Sequence, residues 1–281
     1  MWSKVIAGIS VGILVAACGT TQRSDERATV VVTAWPIEEL VNTIAGDRVR
    51  VVSLAAPGVE PHDLELDSAD LEELTRASLV VTVAEGFQPA VDRAVVSNDL
   101  PLLVAADHVE PADEDPHLWL DPKAWADVAR GLGEALAPLV ADPTEVRTRA
   151  RNLEVTLDDH SDRWESILAG CERKTVIVMH DAFVRWERFG LRIESLLGRV
   201  PGAEPTASRI AELARVVRQT RSEVIFTELG SPERIARALA DEAEVDVATL
   251  DPLENAVHGP YLERMTANLE SLAEGLGCPL P

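Results

Sequence analysis

No stretch of this 281-residue chain is apolar for long enough to cross a bilayer as a helix, which takes roughly 20 residues. The longest such run, Val5 to Ala17, falls short. Basic residues are scarce, 26 Lys and Arg against 48 Asp and Glu, for a formal net charge of −22. Nucleic acid needs a basic face, so it is excluded as a partner. A cation suits this balance better, because a negative field concentrates divalent ions. A solvated acidic surface that keeps the chain soluble accounts for the same charge. Nothing in the composition, 46% hydrophobic, reads as disordered or fibrous, and there is enough apolar material for one large core or two modest ones. A His-Glu-x-x-His pair, the signature of a helical zinc hydrolase site, is also missing.

Lys4, the short apolar run and the small residues at Val15-Ala16-Ala17 make residues 1–17 a secretory signal. The following Cys18 changes its kind, because Val-Ala-Ala-Cys resembles the bacterial lipoprotein signal, in which this cysteine becomes the lipid-bearing first residue. Acyl chains contribute about 0.8 kcal/mol per buried methylene, so a multiply acylated Cys18 would anchor the protein to a membrane permanently. Residues 18–28 are then a polar tether. Cys171 and Cys278 are left, in a compartment where disulfides persist. Pairing and two independent buried thiols both fit the sequence.

From Ala28 onward, short β-branched runs alternate with helically spaced segments, the signature of βαβ units and a parallel sheet. Four runs precede the middle: Thr29 to Thr33, Val49 to Leu54, Leu79 to Val83 and Leu102 to Val104. Asp121-Pro122 and Asp142-Pro143 are cap-and-first-position pairs, the second opening a helix without Gly or Pro as far as Gly170. Val146, Ala150, Leu153, Leu157, Trp164 and Leu168 form its stripe, so it packs along its length. The rhythm then resumes through Thr175 to Met179, Leu191 to Leu196, Val224 to Thr227 and Val245 to Leu250. These features predict an α/β protein of two lobes, each with a mostly parallel four-stranded sheet flanked by helices, joined by one long rigid helix. The divisions are an N-terminal lobe over 29–141, the linking helix over 142–170 and a C-terminal lobe over 171–281.

In open parallel sheets, ligand groups gather beyond the carboxyl ends of strands. The polar residues placed there are His62 after the second run, His117 downstream of the fourth, His180 directly after Met179, and Asp251 directly after Leu250. Three imidazoles and one carboxylate complete a tetrahedron around zinc. On placement alone each histidine could equally be a hydrogen-bonded loop residue, and Asp251, before Pro252, a helix cap.

These segments, in this order and with a long helix between the second and third, resemble the metal-binding lipoproteins of bacterial zinc and manganese importers, the cluster A-I solute-binding proteins of ABC transporters. The similarity is carried by Pro57-Gly58-Val59-Glu60-Pro61-His62-Asp63, Asp115-Pro116-His117-Leu118-Trp119-Leu120-Asp121-Pro122, His180-Asp181-Ala182-Phe183, Glu204-Pro205-Thr206, Thr249 to Leu253 and Tyr261 to Leu272. It covers nearly the whole mature chain. The resemblance implies a monomeric extracytoplasmic protein, held by its lipid at the cell membrane, that binds metal through His62, His117, His180 and Asp251 and hands it to an ABC permease. Nitrogen at the third position favours Zn2+, with Mn2+ or Fe2+ as alternatives.

One departure is the short segment Ala106 to Asp115 before the second ligand, where zinc members often carry a long histidine-rich loop. His108 is its one histidine and is expected to be solvated. Glu60 and Glu228 are expected to orient a histidine or to offer an alternative carboxylate. His160 and His258 are expected at the surface or at caps, and the tryptophans as packing anchors, with Trp119 near enough to wall the site. Alternatives to transport are a surface adhesin with structural zinc and, least favoured, a zinc hydrolase with Glu60 or Glu228 as general base.

Overall fold

The computed structural model describes residues 27–55, 61–110, 115–198, 205–231, 233–254 and 259–279. Cys18, Glu60 and His258 lie outside these described residues. Among the described residues, no helix is long and apolar enough to cross a membrane.

Strand β1 (Thr29–Val32) leads into helix α1 (Trp35–Ala45), then β2 (Arg50–Ser53), α2 (Ser68–Arg76), β3 (Leu79–Thr82), α3 (Pro89–Asn98) and β4 (Leu102–Val104). The four strands form one parallel sheet in the order β2-β1-β3-β4. Side chains alternate across a strand, and this sheet is covered on both faces. Val30 and Val32 therefore enter the main core, whereas Val31 joins Leu54, Leu74 and Val80 in a smaller outer cluster.

Helices α4 (Pro122–Leu136) and α5 (Pro143–Ala169) follow, each opened as the sequence predicts. The Asp121 carboxylate accepts from the Lys123 N–H, and that of Asp142 from the Glu145 N–H, with proline next in line. Such caps satisfy backbone donors that would otherwise lack partners. With 27 residues, α5 is about 40 Å long. The expected stripe is buried except at Leu153, which is half-buried, and Ser161 fills its gap, accepting a hydrogen bond from Arg188. Where α4 crosses α5, a Cβ on Gly133 would lie 2.3 Å from the Ala150 Cβ, so only glycine permits this approach.

The second half runs β5 (Thr175–Val178), a 3-10 segment over Asp181–Phe189, β6 (Arg192–Ser195), α6 (Ala207–Thr220), β7 (Val224–Glu228), α7 (Arg234–Ala243), β8 (Asp246–Leu250) and α8 (Tyr261–Leu276). Among the described residues its strands form two parallel pairs, β5-β6 and β7-β8, with β5 beside β7, in place of a continuous four-stranded ladder. An all-apolar run specifies burial on both faces but not the hydrogen-bonding neighbour, which is why the sequence does not separate these arrangements. Val176 and Val178 face the main core and Ile177 the opposite side.

The main core is continuous across both halves, from Val30 and Ile37 through Trp125, Leu157 and Trp164 to Val176, Phe226 and Leu269. Trp35, Trp119, Trp125, Trp164 and Trp186 are all buried in it, as packing anchors. Cys171, just past α5, and Cys278, just past α8, are joined as a disulfide.

Two outcomes follow from these ties. Because one core spans both halves, small-angle scattering of metal-free and metal-loaded protein is expected to give nearly equal radii of gyration. A large expansion on metal removal would show that the core parts. Replacing both cysteines by serine, which opens a cross-link between positions 107 apart, is expected to lower unfolding free energy by up to about 4–5 kcal/mol, measured by denaturant titration.

Candidate metal centre

His62 sits in the 3-10 turn Pro61–Asp63 beyond β2, His117 just before the turn Leu118–Leu120, and His180 one residue past Met179 at the end of β5. All three are brought together, as expected. The carboxylate that joins them is not Asp251 but Glu254, and one donor atom from each of the four lies within 4.8 Å of the others. His62 Nε2 is 3.3 Å from His117 Nε2. Oε1 of Glu254 is 3.6 Å from His117 Nε2 and 3.9 Å from Nε2 of both His62 and His180. A tetrahedral ion bound at roughly 2.0–2.1 Å holds its donors about 3.3–3.4 Å apart, so this cluster needs only a small contraction to close on one. His180 Nε2 is buried without a hydrogen-bond partner among the described residues, which leaves its lone pair for a cation.

Asp251 lies outside this cluster and is engaged by other partners. Arg264 donates to both its oxygens, from Nε at 2.6 Å and Nη2 at 2.7 Å. The Leu253 N–H adds a third donor at 2.8 Å. A bidentate guanidinium pair of this kind is among the strongest side-chain contacts, and a metal would have to break it. Placement directly after a strand singles out Asp251 in this loop and passes over Glu254. The available signal was a second acid in the same loop, three positions on.

Two of the three histidines have a carboxylate behind them. Glu228, at the end of β7, accepts from the His180 backbone N–H at 3.0 Å, and its Oε1 stands 2.7 Å from His180 Nδ1. It stands outside the four-residue cluster, in the place of an orienting group, one of the two roles the sequence left open. Asp115, whose role sequence reasoning did not single out, stands 2.8 Å from His117 Nδ1 and pairs through its other oxygen with Arg185 Nε at 3.1 Å. At His117, an Nδ1 that donates to the Asp115 carboxylate leaves Nε2 as the inward nitrogen, the arrangement a metal ligand requires. Trp119 walls the site as expected: its ring meets that of His117 edge-on, and its indole N–H donates to the Pro252 carbonyl at 2.7 Å.

Side-chain exposure is 21% for His62 but 3% or less for His117, His180 and Glu254. His62 and His117 line a cavity of about 1000 Å³ whose walls include Glu85, Asp107, Glu110 and Asp181. His108 is half-buried and not fully solvated. Its ring packs against α4 so closely that a Cβ on Gly131 would sit 2.3 Å from it. His160 is half-buried as well. Its Nε2 lies 3.2 Å from Thr266 Oγ1 between α5 and α8, and burial lowers its pKa, with Arg163 adding to the effect.

Residues 30–275 match the model of the family described as ZnuA, zinc-uptake complex component A, periplasmic. The chain belongs to this family. Among ZnuA-type relatives, the zinc-binding lipoprotein AdcA of Streptococcus pneumoniae is 25% identical, over 97% of this chain and 60% of its own length. The chain thus spans about 60% of that relative. A putative metal-binding protein of Treponema pallidum is 27% identical, over 96% of this chain and 95% of its own. Among solved structures, the periplasmic zinc-binding protein TroA of Treponema pallidum superposes with a TM-score of 0.79 at 24% identity, covering 89% of this chain and 99% of that one. At that identity it shows the shared fold.

The Glu228 contact yields a direct test. Glu228→Gln, which keeps the shape but removes the charge that orients His180, is expected to weaken divalent-metal binding about 10- to 100-fold in a chelator competition. Glu85→Gln, on the cavity wall, should change equilibrium affinity far less.

Proposed function

We propose that the protein captures Zn2+ outside the cytoplasm, holds it between the two halves with His62, His117, His180 and Glu254, and delivers it to an ABC-type importer. The observation that carries this reading is the convergence of three imidazole nitrogens and one carboxylate oxygen at nearly tetrahedral spacing. Nitrogen donors favour zinc over manganese, whose harder preference is for oxygen. The names of the relatives point the same way, since AdcA is a zinc-binding lipoprotein and TroA a periplasmic zinc-binding protein.

Four protein donors close a tetrahedral shell and leave no position for the water that a zinc hydrolase activates, so zinc is cargo here and no reaction is catalysed. A purely structural ion, as in the adhesin alternative, would suit a sealed interior better than the floor of a cavity of about 1000 Å³. The further parts of the proposal are lipid attachment at Cys18, a monomeric state, docking on a permease, and division into lobes 29–141 and 171–281 around the linking helix 142–170. The sequence Val15-Ala16-Ala17-Cys18 and the lipoprotein relative support the anchor.

The test is elemental analysis of metal-stripped protein lacking residues 1–17, exposed to equal zinc, manganese and ferrous ion and then desalted. One equivalent of zinc is expected, lost in His180→Ala and retained in His258→Ala. Manganese or iron in its place would overturn the zinc assignment, and no retained metal would overturn the capture function.

A further inference from the structure

We infer that Arg264 is a positioning residue for the metal centre: by occupying both oxygens of Asp251 it fixes the turn that aims Glu254 at the three histidines. This rests on the reading of Glu254 as a ligand.

Asp251 is gripped from three directions. Arg264 takes both carboxylate oxygens. Asn268, one turn further along α8, accepts from the Asp251 N–H and donates to its carbonyl, both at 2.8 Å. The Leu253 N–H bonds back to Asp251 Oδ1 at 2.8 Å. Leu253 has φ of 57°, a left-handed conformation that a branched side chain resists and that must be imposed from outside. The Asp251 carboxylate imposes it through the Leu253 N–H, and the next residue is Glu254.

Arg264 is itself held. It is buried, and its guanidinium lies 4.4 Å over the ring of Trp35 on α1, where cation–π attraction fixes its plane. Helix α8, which carries it, is fastened at its first turn by Glu39 of α1, whose Oε1 accepts from the Tyr261 N–H at 2.6 Å. A residue from the first half thus sets the helix that sets the fourth ligand of the second. The same grip keeps Asp251 from competing for the ion, so the site offers one carboxylate and not two.

The test is a double-mutant cycle in zinc affinity, read by competition with a chromogenic chelator on the mature soluble protein. The set is wild type, Arg264→Met, Glu254→Gln and the double variant, with Arg147→Met, at the surface pair with Glu134, as control. Arg264→Met is expected to weaken zinc binding about 10- to 100-fold, and the double variant to bind no more weakly than Glu254→Gln alone. The visible spectrum of Co2+-loaded Arg264→Met should move toward that of Glu254→Gln, which a general loss of stability would not produce. Wild-type affinity in Arg264→Met, or losses that add in the double variant, would overturn the inference while leaving the ligand assignment standing. Unchanged affinity in Glu254→Gln would overturn both. Should Arg264→Met fail to fold, Asp251→Asn carries the same expectation, and additivity with Glu254→Gln would instead show Asp251 binding the metal directly.

Discussion

Donor atoms turned toward one another repel unless something positive lies among them, and the structure places four such atoms in a space one ion would fill. A proton shared between Nε2 of His62 and His117, 3.3 Å apart, relieves one pair at most. The buried His180 Nε2, which has no hydrogen-bond partner among the described residues, gains no comparable relief from it, and a buried polar group left so typically costs about 1–3 kcal/mol. The surrounding fold must therefore hold the ligands in place against this cost, and much of its polar architecture serves that end. Asp115 and Glu228 stand behind His117 and His180, and Arg264 holds Asp251, three residues before Glu254.

Holding is done across the midline of the molecule. The 3-10 segment that follows His180 reaches back to the segment around His117 three times. Arg185 pairs with Asp115, the Trp186 indole donates to the Leu120 carbonyl at 2.7 Å, and Arg188 pairs with Asp121 at 3.1 Å. From the other side, Trp119 donates to Pro252, and the Tyr261 hydroxyl donates to the Trp119 carbonyl at 2.7 Å. Burial raises the Tyr261 pKa well above its usual value, which keeps that hydroxyl a donor at any physiological pH. Apart from the Arg188–Asp121 pair, whose arginine is more than a third exposed, these bonds are largely buried, where each is worth more than at the surface. The two halves meet as one packed body with ligands contributed from both sides of the seam.

How much of this the sequence discloses depends on the range of the interaction that decides it. Helix starts at Asp121-Pro122 and Asp142-Pro143 are legible because cap and first turn are neighbours in the chain. The parallel strands are legible as short β-branched runs, and the three histidines as polar residues where such runs end. Asp251 and Glu254 share one loop and one chemistry, and what separates them is Arg264 on a later helix, together with Trp35 from the far end of the chain. No local pattern carries that information. The same holds for His160, which looks like one more polar residue on a long helix until Thr266 arrives from α8. The pairing of Cys171 with Cys278 likewise depends on where α5 and α8 end relative to each other.

Exposure falls across the site in a definite direction, and this bears on how an ion reaches it. His62 and His117 both line the cavity, but His62 is the more exposed of the two, and His117, His180 and Glu254 are each almost fully buried. The cavity walls contribute carboxylates at Glu85, Asp107, Glu110 and Asp181, within a chain whose charge is already strongly negative. Carboxylates attract divalent cations at long range with little preference among them, and that attraction is screened by salt. Imidazoles discriminate by donor type but act only at contact. An ion arriving through this cavity meets the unselective groups first and the selective ones last. Under the proposed function, the field would govern the rate of capture and the nitrogen set would decide which ion stays.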